Sequence, residues 1–322
     1  MLKNNLWACI VVGVLLSGGA AAQEYPAKTI TFYVPFAAGS ATDTLARSLG
    51  QGITAETKHA IVVDNRPGAN GLISAQAFIR TPADGYTVLI ATNTTHAANE
   101  HLYKKIPYDP VRDFTPVTAL ARGGQVMIVN PRVPVKTVKE FIALAKSQPG
   151  KIDYSSGGNG SPQHVAMEAF KAATGIYVTH IPYRGATQAA LDVIPNQVQA
   201  HFGAVSIVLP YIKSGRMRAL AVPSANRSPL LPEVPTMAEA GAIDQEAETL
   251  NGLLAPAGTP RDIVDRLYGE IAKIMTMPHV AERLDTMGFA PIFTTPEQFS
   301  ARIDAEISKW EKVIREAKIR ID

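Results

Sequence analysis

Two glycine-containing loops have the composition of an anion-binding backbone. The first is Phe36-Ala37-Ala38-Gly39-Ser40-Ala41-Thr42-Asp43, and the second is Ser155-Ser156-Gly157-Gly158-Asn159-Gly160-Ser161-Pro162. Each follows a β-branched apolar run and precedes a helical pattern. Glycine lets the backbone approach a ligand closely, and a helix start leaves N–H donors unpaired and carries roughly half a positive charge. Such a strand–loop–helix junction can hold a carboxylate or phosphate without a basic side chain.

Both loops also have a purely structural interpretation, because every helix start needs a cap. In the first loop, Ser40 or Thr42 would cap the helix, and Asp43 would pair with Arg47 four residues later. Capping is common enough that it outweighs binding when the first loop is considered alone. The second loop has more glycine than a cap needs, and Pro162 suits the first turn of a helix. Binding is therefore the favoured interpretation of the second loop.

A polar strand end and a short basic segment add further candidates. The strand-like run ending at Ala91 is followed by Thr92-Asn93-Thr94-Thr95-His96. These hydroxyl and amide groups would either orient a polar ligand or form a Ser/Thr turn. In Tyr183-Arg184-Gly185, the guanidinium would either grip a carboxylate with two hydrogen bonds or lie on the surface, as most arginines do.

Catalytic and metal-binding patterns are incomplete in this sequence. Ser161 lacks the glycine spacing of a nucleophile elbow. His164 and Glu168 share a helix face, but no second histidine has metal-ligand spacing. His96 and His101, five residues apart, do not fit a helical metal pair. We therefore predict no catalytic residue, no metal and no cofactor.

The first 22 residues have the features of a secretory leader. Lys3 precedes the apolar stretch Leu6–Leu16, and Ala20-Ala21-Ala22 forms a small-residue cleavage signal before Gln23. The apolar stretch is shorter than the about 20 residues that span a membrane. Cys9 is the single cysteine and lies within this segment, so the mature chain has no disulfide. We predict export to the periplasm and cleavage near Ala22-Gln23.

Length and charge limit the remaining possibilities. The formal charge of +3 falls to +2 without Lys3, which does not suggest a nucleic-acid-binding protein. Roughly 300 mature residues exceed the usual size of one domain, so two lobes are expected. The predicted boundaries are 23–122 for the first part of lobe 1, 123–249 for lobe 2, and 250–322 for a returning strand and helices that pack on lobe 1. A monomer is expected.

Strand-like runs alternate with helical patterns along the chain, which predicts an α/β protein with parallel sheets. The predicted strands are Ile30–Val34, Ala60–Val63, Thr87–Ala91, Val126–Val129, Ile152–Tyr154, Tyr177–His180, Val198–Phe202, Met217–Val222 and Leu250–Pro256. The predicted helices are Thr44–Ile53, Gly71–Ile79, Val138–Lys146, Val165–Ala173, Ala189–Val193, Arg261–Met275, His279–Met287 and Pro296–Lys318. Ligands of such sheets bind beyond the carboxyl ends of the strands, where both glycine loops fall.

A series of short motifs, in order, resembles the solute receptors of tripartite tricarboxylate transporters, the Bug-type periplasmic binding proteins. The similarity runs from about Tyr25 to Trp310. Besides the two loops, the motifs are Val63-Asp64-Asn65-Arg66-Pro67-Gly68-Ala69-Asn70-Gly71, Pro82-Ala83-Asp84-Gly85-Tyr86, Tyr183-Arg184-Gly185, Pro235-Thr236-Met237-Ala238-Glu239-Ala240-Gly241 and Leu254-Ala255-Pro256-Ala257-Gly258-Thr259-Pro260. Each motif alone is weak, and the ordered series is specific.

The resemblance implies a two-lobe Venus-flytrap fold with a mainly parallel sheet in each lobe, closing on a small carboxylated solute without reaction. It also implies that a membrane permease or a sensor domain is the partner. The contact residues carried over are Phe36, Ala38, Gly39, Ser40, Thr42, Asp43, Asn93, Thr94, Thr95, Ser155, Ser156, Gly157, Asn159, Ser161, His164, Tyr183, Arg184, Gly185, Gly203 and Ala204.

Two departures from the family pattern bear on the ligand. Gly39-Ser40 replaces a common pair of glycines, and Gly203 stands where an acidic residue is frequent. The second departure disfavours an amino-acid ligand, whose ammonium group needs an anion. Phe36 and Tyr183 suit an aromatic acid as well as an aliphatic one. The alternatives are a secreted α/β hydrolase using Ser161 and His164, and a scaffold or adhesion module, which leaves the paired loops unexplained.

Overall fold

The computed structural model describes residues 25–242 and 246–321, so the predicted leader lies outside the described residues. The strands are β1 (Ile30–Val34), β2 (Ile61–Asn65), β3 (Thr87–Thr92), β4 (Phe114–Gly123), β5 (Gln125–Val129), β6 (Asp153–Ser156), β7 (Thr179–Pro182), β8 (Ala200–Ala204), β9 (Arg218–Ala221), β10 (Thr249–Pro256) and β11 (Phe289–Pro291). The α-helices are α1 (Ala41–Thr57), α2 (Leu72–Phe78), α3 (Asn99–Leu102), α4 (Val138–Ser147), α5 (Pro162–Thr174), α6 (Ala186–Leu191), α7 (Val205–Lys213), α8 (Arg261–Met275), α9 (Pro278–Thr286) and α10 (Pro296–Glu316). Within the described ranges, none of these helices is long and apolar enough to span a membrane.

The strands form two sheets, one for each lobe. The first has the order β11-β4-β10-β3-β1-β2, and the second has the order β7-β6-β8-β5-β9. In the first sheet β1 is parallel to β2 and β3, while β10 is antiparallel to β3 and β4. In the second sheet β6 is parallel to β7 and β8, while β5 is antiparallel to β8 and β9. The predicted two-lobe α/β fold is confirmed.

Most strands of each sheet run in the same direction, as predicted, but both sheets are mixed, because β10 and β11 in the first sheet and β5 in the second run against the others. Two of these three reversed strands, β5 and β10, are the ones by which the chain enters a lobe, and the third is the short edge strand β11. β5 enters the second lobe directly from β4, and β10 brings the chain back into the first. Strands β1 and β3 run toward the junction of the lobes, so a strand that starts at this junction must run against them.

Four of these strands and α-helices were missing from the sequence prediction: β4, β11, α3 and α7. β4 contains Pro116 and Arg122 and lacks a continuous apolar run. It is nevertheless mostly buried, because it lies between β10 and β11 and pairs with both. α7 contains Pro210, which is unfavourable within a helix. Tertiary pairing and packing therefore override weak local signals in these segments.

Separate apolar cores stabilise the two lobes. In the first lobe, Phe32 and Leu45 are buried on one face of the sheet, and Phe78 and Phe299 are buried on the other. The second lobe has its own core, which includes the buried side chains Phe141, Tyr154, Phe170 and Phe202. A smaller cluster joins the lobes, since Val165 of α5 packs with Trp310 and Ile314 of α10.

Backbone hydrogen bonds surround the β4–β5 crossing point. Gly124 N–H donates to Gly288 O (3.2 Å), and Gly124 O accepts from Val205 N–H (3.0 Å). The start of α7 is thereby tied to the place where the chain passes between the sheets. The lobe boundaries at 122/123 and 249/250 remain a proposal, which the ends of β4 and the start of β10 support.

Candidate functional site

The first glycine loop is held by one buried carboxylate. Asp43 accepts hydrogen bonds from Gly39 N–H (2.9 Å), Arg47 Nε (3.0 Å) and Asn65 Nδ2 (2.9 Å). Burial alone would raise the pKa of the Asp43 carboxyl, but these hydrogen bonds and the charge of Arg47 hold that pKa below its usual value. Both carboxylate oxygens are thus used inside the loop, and Asp43 shapes the site without needing to face a ligand.

The capping interpretation of this loop is confirmed, and it coexists with an accessible backbone. Ser40 caps α1 and accepts a hydrogen bond from Asp43 N–H. Thr42 donates to Asn251 Oδ1 (3.1 Å). Ala38 and Gly39 are exposed, and Phe36 is half-buried. The accessible part of the loop is therefore main chain beside the start of a helix 17 residues long.

The second glycine loop is held by hydroxyl and imidazole groups. Ser156 Oγ lies 2.6 Å from His180 Nε2, and it both donates to Gly158 O and accepts from Gly158 N–H. Ser161 caps α5 by accepting from His164 N–H (3.4 Å). Gly160 N–H donates to His164 Nδ1 (3.1 Å). His164 must therefore be unprotonated at Nδ1 while this loop keeps its conformation.

Aromatic rings stack behind this loop. His180 lies between His164 and Tyr154, with ring centroids 4.2 Å and 4.8 Å away. Burial, together with the charges of His164 and Lys171, lowers the pKa of His180 to about 4, and burial also lowers the pKa of His164. Glu168 accepts hydrogen bonds from Tyr154 Oη and from Lys171 Nζ (2.6 Å). The imidazoles of His164 and His180 are consequently both neutral at pH 7.

Ser155 faces the interior of the second lobe. Its hydroxyl donates to Ala189 O (2.7 Å) and lies 3.1 Å from His201 Nδ1. His201 Nδ1 also lies 2.8 Å from Ser155 O, and burial lowers the pKa of His201 to about 4. Ser155 therefore supports the loop from beneath.

The polar end of β3 continues into one turn of π-helix, residues Thr94–Ala98. Thr95 Oγ1 donates to Thr92 O (2.9 Å), so this hydroxyl is used by the local backbone. Asn93 Nδ2 donates to Glu248 O (3.1 Å). Asn93, Thr94 and Thr95 are all buried. Single π turns are frequent at functional sites, but the side chains of Asn93 and Thr95 have partners within the protein.

The β7–α6 loop contains the exposed Arg184, whose side chain has no partner among the described residues. Tyr183 Oη donates to Asp192 Oδ2 (2.8 Å), and partial burial together with this bond raises the pKa of Tyr183 to about 12. Gly185 occupies the N-cap position of α6. Arg184 is thus the one side chain of this loop that is free to reach toward solvent or a ligand.

Three further predicted residues differ in exposure. Asn159 is exposed at the tip of the second loop. Gly203 is buried, and a Cβ at this position would lie 2.6 Å from Val208 Cγ1, so close packing with α7 requires glycine there. Ala204 occupies the N-cap position of α7.

Loops of opposite lobes meet in this structure, which is closed. Thr187 Oγ1 of α6 donates to Gly39 O of the first loop (2.9 Å). Asn70 Nδ2 of the first lobe donates to Gly160 O of the second loop (2.7 Å). A Cβ on Gly185 would lie 3.8 Å from Ala37 Cβ. The structure therefore brings the first, second and β7–α6 loops to one junction.

Sequence reasoning missed Asn70 and Thr187 as contributors to this junction. Asn70 has a φ of +53°, a left-handed conformation that asparagine tolerates better than most residues. The Asn70-Gly71 dipeptide is a turn signal that pointed to this conformation. Nothing local in the sequence indicated that the side chain would reach the other lobe.

A surface groove lies away from this junction. Its volume is about 570 Å³, and its lining includes Lys136 and Thr137 at the start of α4, Arg218 of β9, and Glu233. None of the predicted contact residues lines it, and it belongs to one lobe alone. We place the candidate site at the loop junction, where both lobes contribute.

The geometry offers no nucleophile–base pair at Ser161 and His164. Ser161 Oγ accepts from the backbone of His164, and His164 Nδ1 accepts from Gly160 N–H. Within residues 25–242 and 246–321, no cluster of three or more histidine, cysteine or acidic residues could hold a metal ion. The arrangement is suited to holding a small polar molecule between two lobes.

Comparison with known proteins gives the family. The sequence pattern of the tripartite tricarboxylate transporter family receptor matches residues 45–319. BugT of Bordetella pertussis is 34% identical over 325 residues, covering 100% of both chains. The structure of Rpa4515 from R. palustris with adipate has a TM-score of 0.89 and 34% identity, covering 92% of this chain and 100% of that one. MatC from Rhodopseudomonas palustris with bound malate has a TM-score of 0.85 and 28% identity, covering 90% and 100%.

The similarity extends over nearly the whole of each chain, in agreement with the ordered motifs. It also confirms the expectation of a non-enzymatic protein, since the matched proteins are binding receptors. Membership of a family of periplasmic binding proteins agrees with the predicted export of the chain to the periplasm. The chain belongs to the tripartite tricarboxylate transporter receptor family, as a solute-binding protein of the Bug type.

Proposed function

We propose that this receptor captures a small organic acid, aliphatic or aromatic, with one or two carboxylates, at the junction of the glycine loops. The observation that carries the proposal is the meeting of the loops across the lobes, seen in the hydrogen bond from Thr187 to Gly39 O. Exposed main chain at Ala38 lies beside the start of α1, and Asn159 lies beside the start of α5. Both starts favour an anion.

Backbone donors suffice energetically for such a ligand. Hydrogen bonds to a charged group contribute about 1.5–3 kcal/mol each, and a helix start adds roughly 0.3–1 kcal/mol. Two or three donors from each lobe would therefore support micromolar affinity, near −8 kcal/mol, after the cost of association. Arg184 would add to this binding from the rim of the site.

The charge of the site disfavours an amino acid. Asp43 is the single acid among the predicted contact residues, and its oxygens already accept from Gly39, Arg47 and Asn65. An ammonium group would find no free carboxylate there. The adipate and malate bound by the two similar structures support a dicarboxylate as the first candidate.

A calorimetric titration with malate, adipate, benzoate and aspartate tests the proposal. We expect one of the three simple acids to bind and aspartate to bind weakly or not at all. A ligand present at 100 times its Kd should add about 2.7 kcal/mol to the free energy of unfolding. Binding of aspartate alone would contradict the assignment.

The same samples test the hydrolase alternative. After prolonged incubation with the protein, mass spectrometry should recover the bound acid intact. Steady conversion to a product would favour the hydrolase. We further propose that the exported receptor acts as a monomer and delivers its ligand to a membrane permease or a sensor domain.

A further inference from the structure

One continuous hydrogen-bond chain connects the polar strand end of the first lobe with the second glycine loop. Tyr108 Oη donates to Thr95 O (2.5 Å), and Asn99 Nδ2 lies 3.4 Å from Tyr108 Oη. Asn99 Nδ2 also donates to Asn70 O (3.1 Å), and its Oδ1 accepts from Asn70 Nδ2 (2.8 Å). The last bond runs from Asn70 Nδ2 to Gly160 O in the other lobe.

Asn70 is the member of this chain that crosses between the lobes. Asn99 is fully buried, accepts a hydrogen bond from the Asn70 side-chain amide and donates one to the Asn70 backbone carbonyl. The position has a φ of +53°, which asparagine, aspartate and glycine adopt with little strain. The side chain is thus oriented before the lobes meet, and both protons of its amide group are given to acceptors.

The peptide groups around Gly160 are held from both lobes. Gly160 O accepts from Asn70 of the first lobe, and Gly160 N–H donates to His164 of the second. A Cβ on Gly160 would lie 3.0 Å from Asn70 Nδ2 and 3.2 Å from Leu102 Cδ1, so the first lobe packs directly against this glycine. The conformation of the second loop therefore depends on a first-lobe side chain.

We propose that Asn70 is a positioning residue that holds the lobes closed and fixes the second glycine loop in its ligand-binding conformation. This inference rests on the proposed function, because lobe closure matters only if the receptor has to retain a ligand. The hydrogen bonds that carry the inference join only groups of the protein itself. Asn70 accordingly biases the protein toward closure before an acid binds.

The test measures the distance between the lobes in the absence of added acid. Spin labels at Lys146→Cys in α4 and Lys273→Cys in α8, both exposed positions, report this distance by pulsed electron paramagnetic resonance. The exported protein offers no competing thiol, because Cys9 lies in the predicted leader. Asn70→Gly removes the amide and keeps the backbone conformation. Asn70→Asp keeps the shape but replaces the donor with an acceptor facing Gly160 O and Asn99 Oδ1.

Asn196→Gly and Asn196→Asp are the matched controls. Asn196 also has a positive φ (+68°), but it lies in a turn of the second lobe between α6 and β8. Circular dichroism and thermal melting of every variant establish that both lobes are folded. Changes that arise from losing an asparagine in a turn would appear in both pairs of variants.

We expect the wild-type protein to populate a short and a long distance between the labels. In Asn70→Gly, the ratio of the short-distance population to the long-distance population should fall roughly threefold to tenfold. Asn70→Asp should lower the ratio at least as much, and the Asn196 variants should match wild type. An unchanged ratio in both Asn70 variants, or a wild type without the short distance, would overturn the proposal. The proposed function would survive that result, because it is decided by the calorimetric titration.

Discussion

The first glycine loop, residues 36–43, and the second, residues 155–162, both lead into helices but are held by different chemistry. The first depends on one ionised carboxylate, Asp43, which receives three hydrogen bonds within its own lobe. The second depends on neutral imidazoles and on Asn70 from the other lobe. The first loop is therefore fixed mainly within its own lobe, with one bond from Thr187 of the other lobe to Gly39 O, whereas the second loop is also held by a first-lobe side chain.

The space around Gly39 of the first loop also differs from that around Gly160 of the second. A Cβ on Gly39 would meet no atom within 4 Å, so this glycine is needed only for its φ of +78°. A Cβ on Gly160 would lie 2.4 Å from Ile321 Cδ1 and close to Asn70 and Leu102, and its φ is +76°. The comparison indicates that stability of the fold should respond most to the first loop and lobe closure to the second.

Removing the carboxylate of the first loop should have the largest effect. Asp43→Ala removes a buried carboxylate that accepts hydrogen bonds from Gly39 N–H, Arg47 and Asn65, and we expect the free energy of unfolding to fall by about 2–4 kcal/mol. Urea denaturation measures this change. Asp192→Ala, which removes the acceptor of the half-buried Tyr183 hydroxyl, is the control and should cost about 1 kcal/mol. Equal losses would contradict the special role of Asp43.

A side chain at Gly160 should weaken binding while the separate lobes stay folded. Gly160→Val places a Cβ against the side chains of Asn70, Leu102 and Ile321. It should reduce the affinity for the tightest-binding acid of the titration roughly 100-fold, or about 2.7 kcal/mol. Calorimetry gives the affinity, and circular dichroism monitors the fold. Gly39→Ala introduces backbone strain alone and should bind more tightly than Gly160→Val. The reverse order would show that the first loop is the more demanding one.

Acid should destabilise the protein through its buried histidines. Burial lowers the pKa of His96 to about 3 and that of His201 to about 4, below the value of about 6.5 for an unfolded chain. Between these values the unfolded state binds more protons, so stability is complete above about pH 6.5 and decreases as pH falls toward 4. Each of these histidines contributes up to about 1.4 kcal/mol per pH unit.

Urea denaturation at pH 7.5, 6 and 5 measures this slope. His201→Asn should make the dependence shallower, because one titrating group is removed. His59→Gln, at a half-buried surface position, is the control for replacing a histidine outside the core. A stability that is flat between pH 7.5 and 5 would exclude buried neutral histidines beneath the second loop.

Arg184→Ala should have the smallest effect. The side chain is exposed and has no partner among the described residues, so the free energy of unfolding should change by no more than about 0.5 kcal/mol. If backbone donors hold the carboxylate, affinity for the acid should fall less than about tenfold, or 1.4 kcal/mol. Complete loss of binding in this variant, with normal binding by Gly39→Ala, would instead indicate an arginine clamp.

Local features of the fold were predictable because their causes are local. β1 and α8 begin and end where hydrophobic periodicity placed them, at Ile30–Val34 and Arg261–Met275. Ser40 and Ser161 cap their helices, and Asp43 pairs with Arg47 across one turn. Side chains three or four residues apart on a helix must meet, so the sequence alone decides these contacts.

Among the candidate contacts, the sequence indicated the loops but not the direction of their side chains. Ser155 and Thr95 have the polar character of ligand contacts, yet their hydroxyls donate to Ala189 O and Thr92 O. A hydroxyl group satisfies a nearby carbonyl as readily as a ligand. Which of the two it meets depends on neighbours that the sequence pattern does not specify.

By itself the sequence determined that this protein is an α/β receptor with two glycine loops at strand ends, since composition, periodicity and ordered motifs are properties of the chain alone. Only the tertiary structure decided that the sheets are mixed and that the loops meet. The bonds that join the lobes link Asn70 with Gly160 and Thr187 with Gly39, residues 90 and 148 positions apart. Such contacts depend on how two separately packed cores are placed, and no local preference encodes that placement.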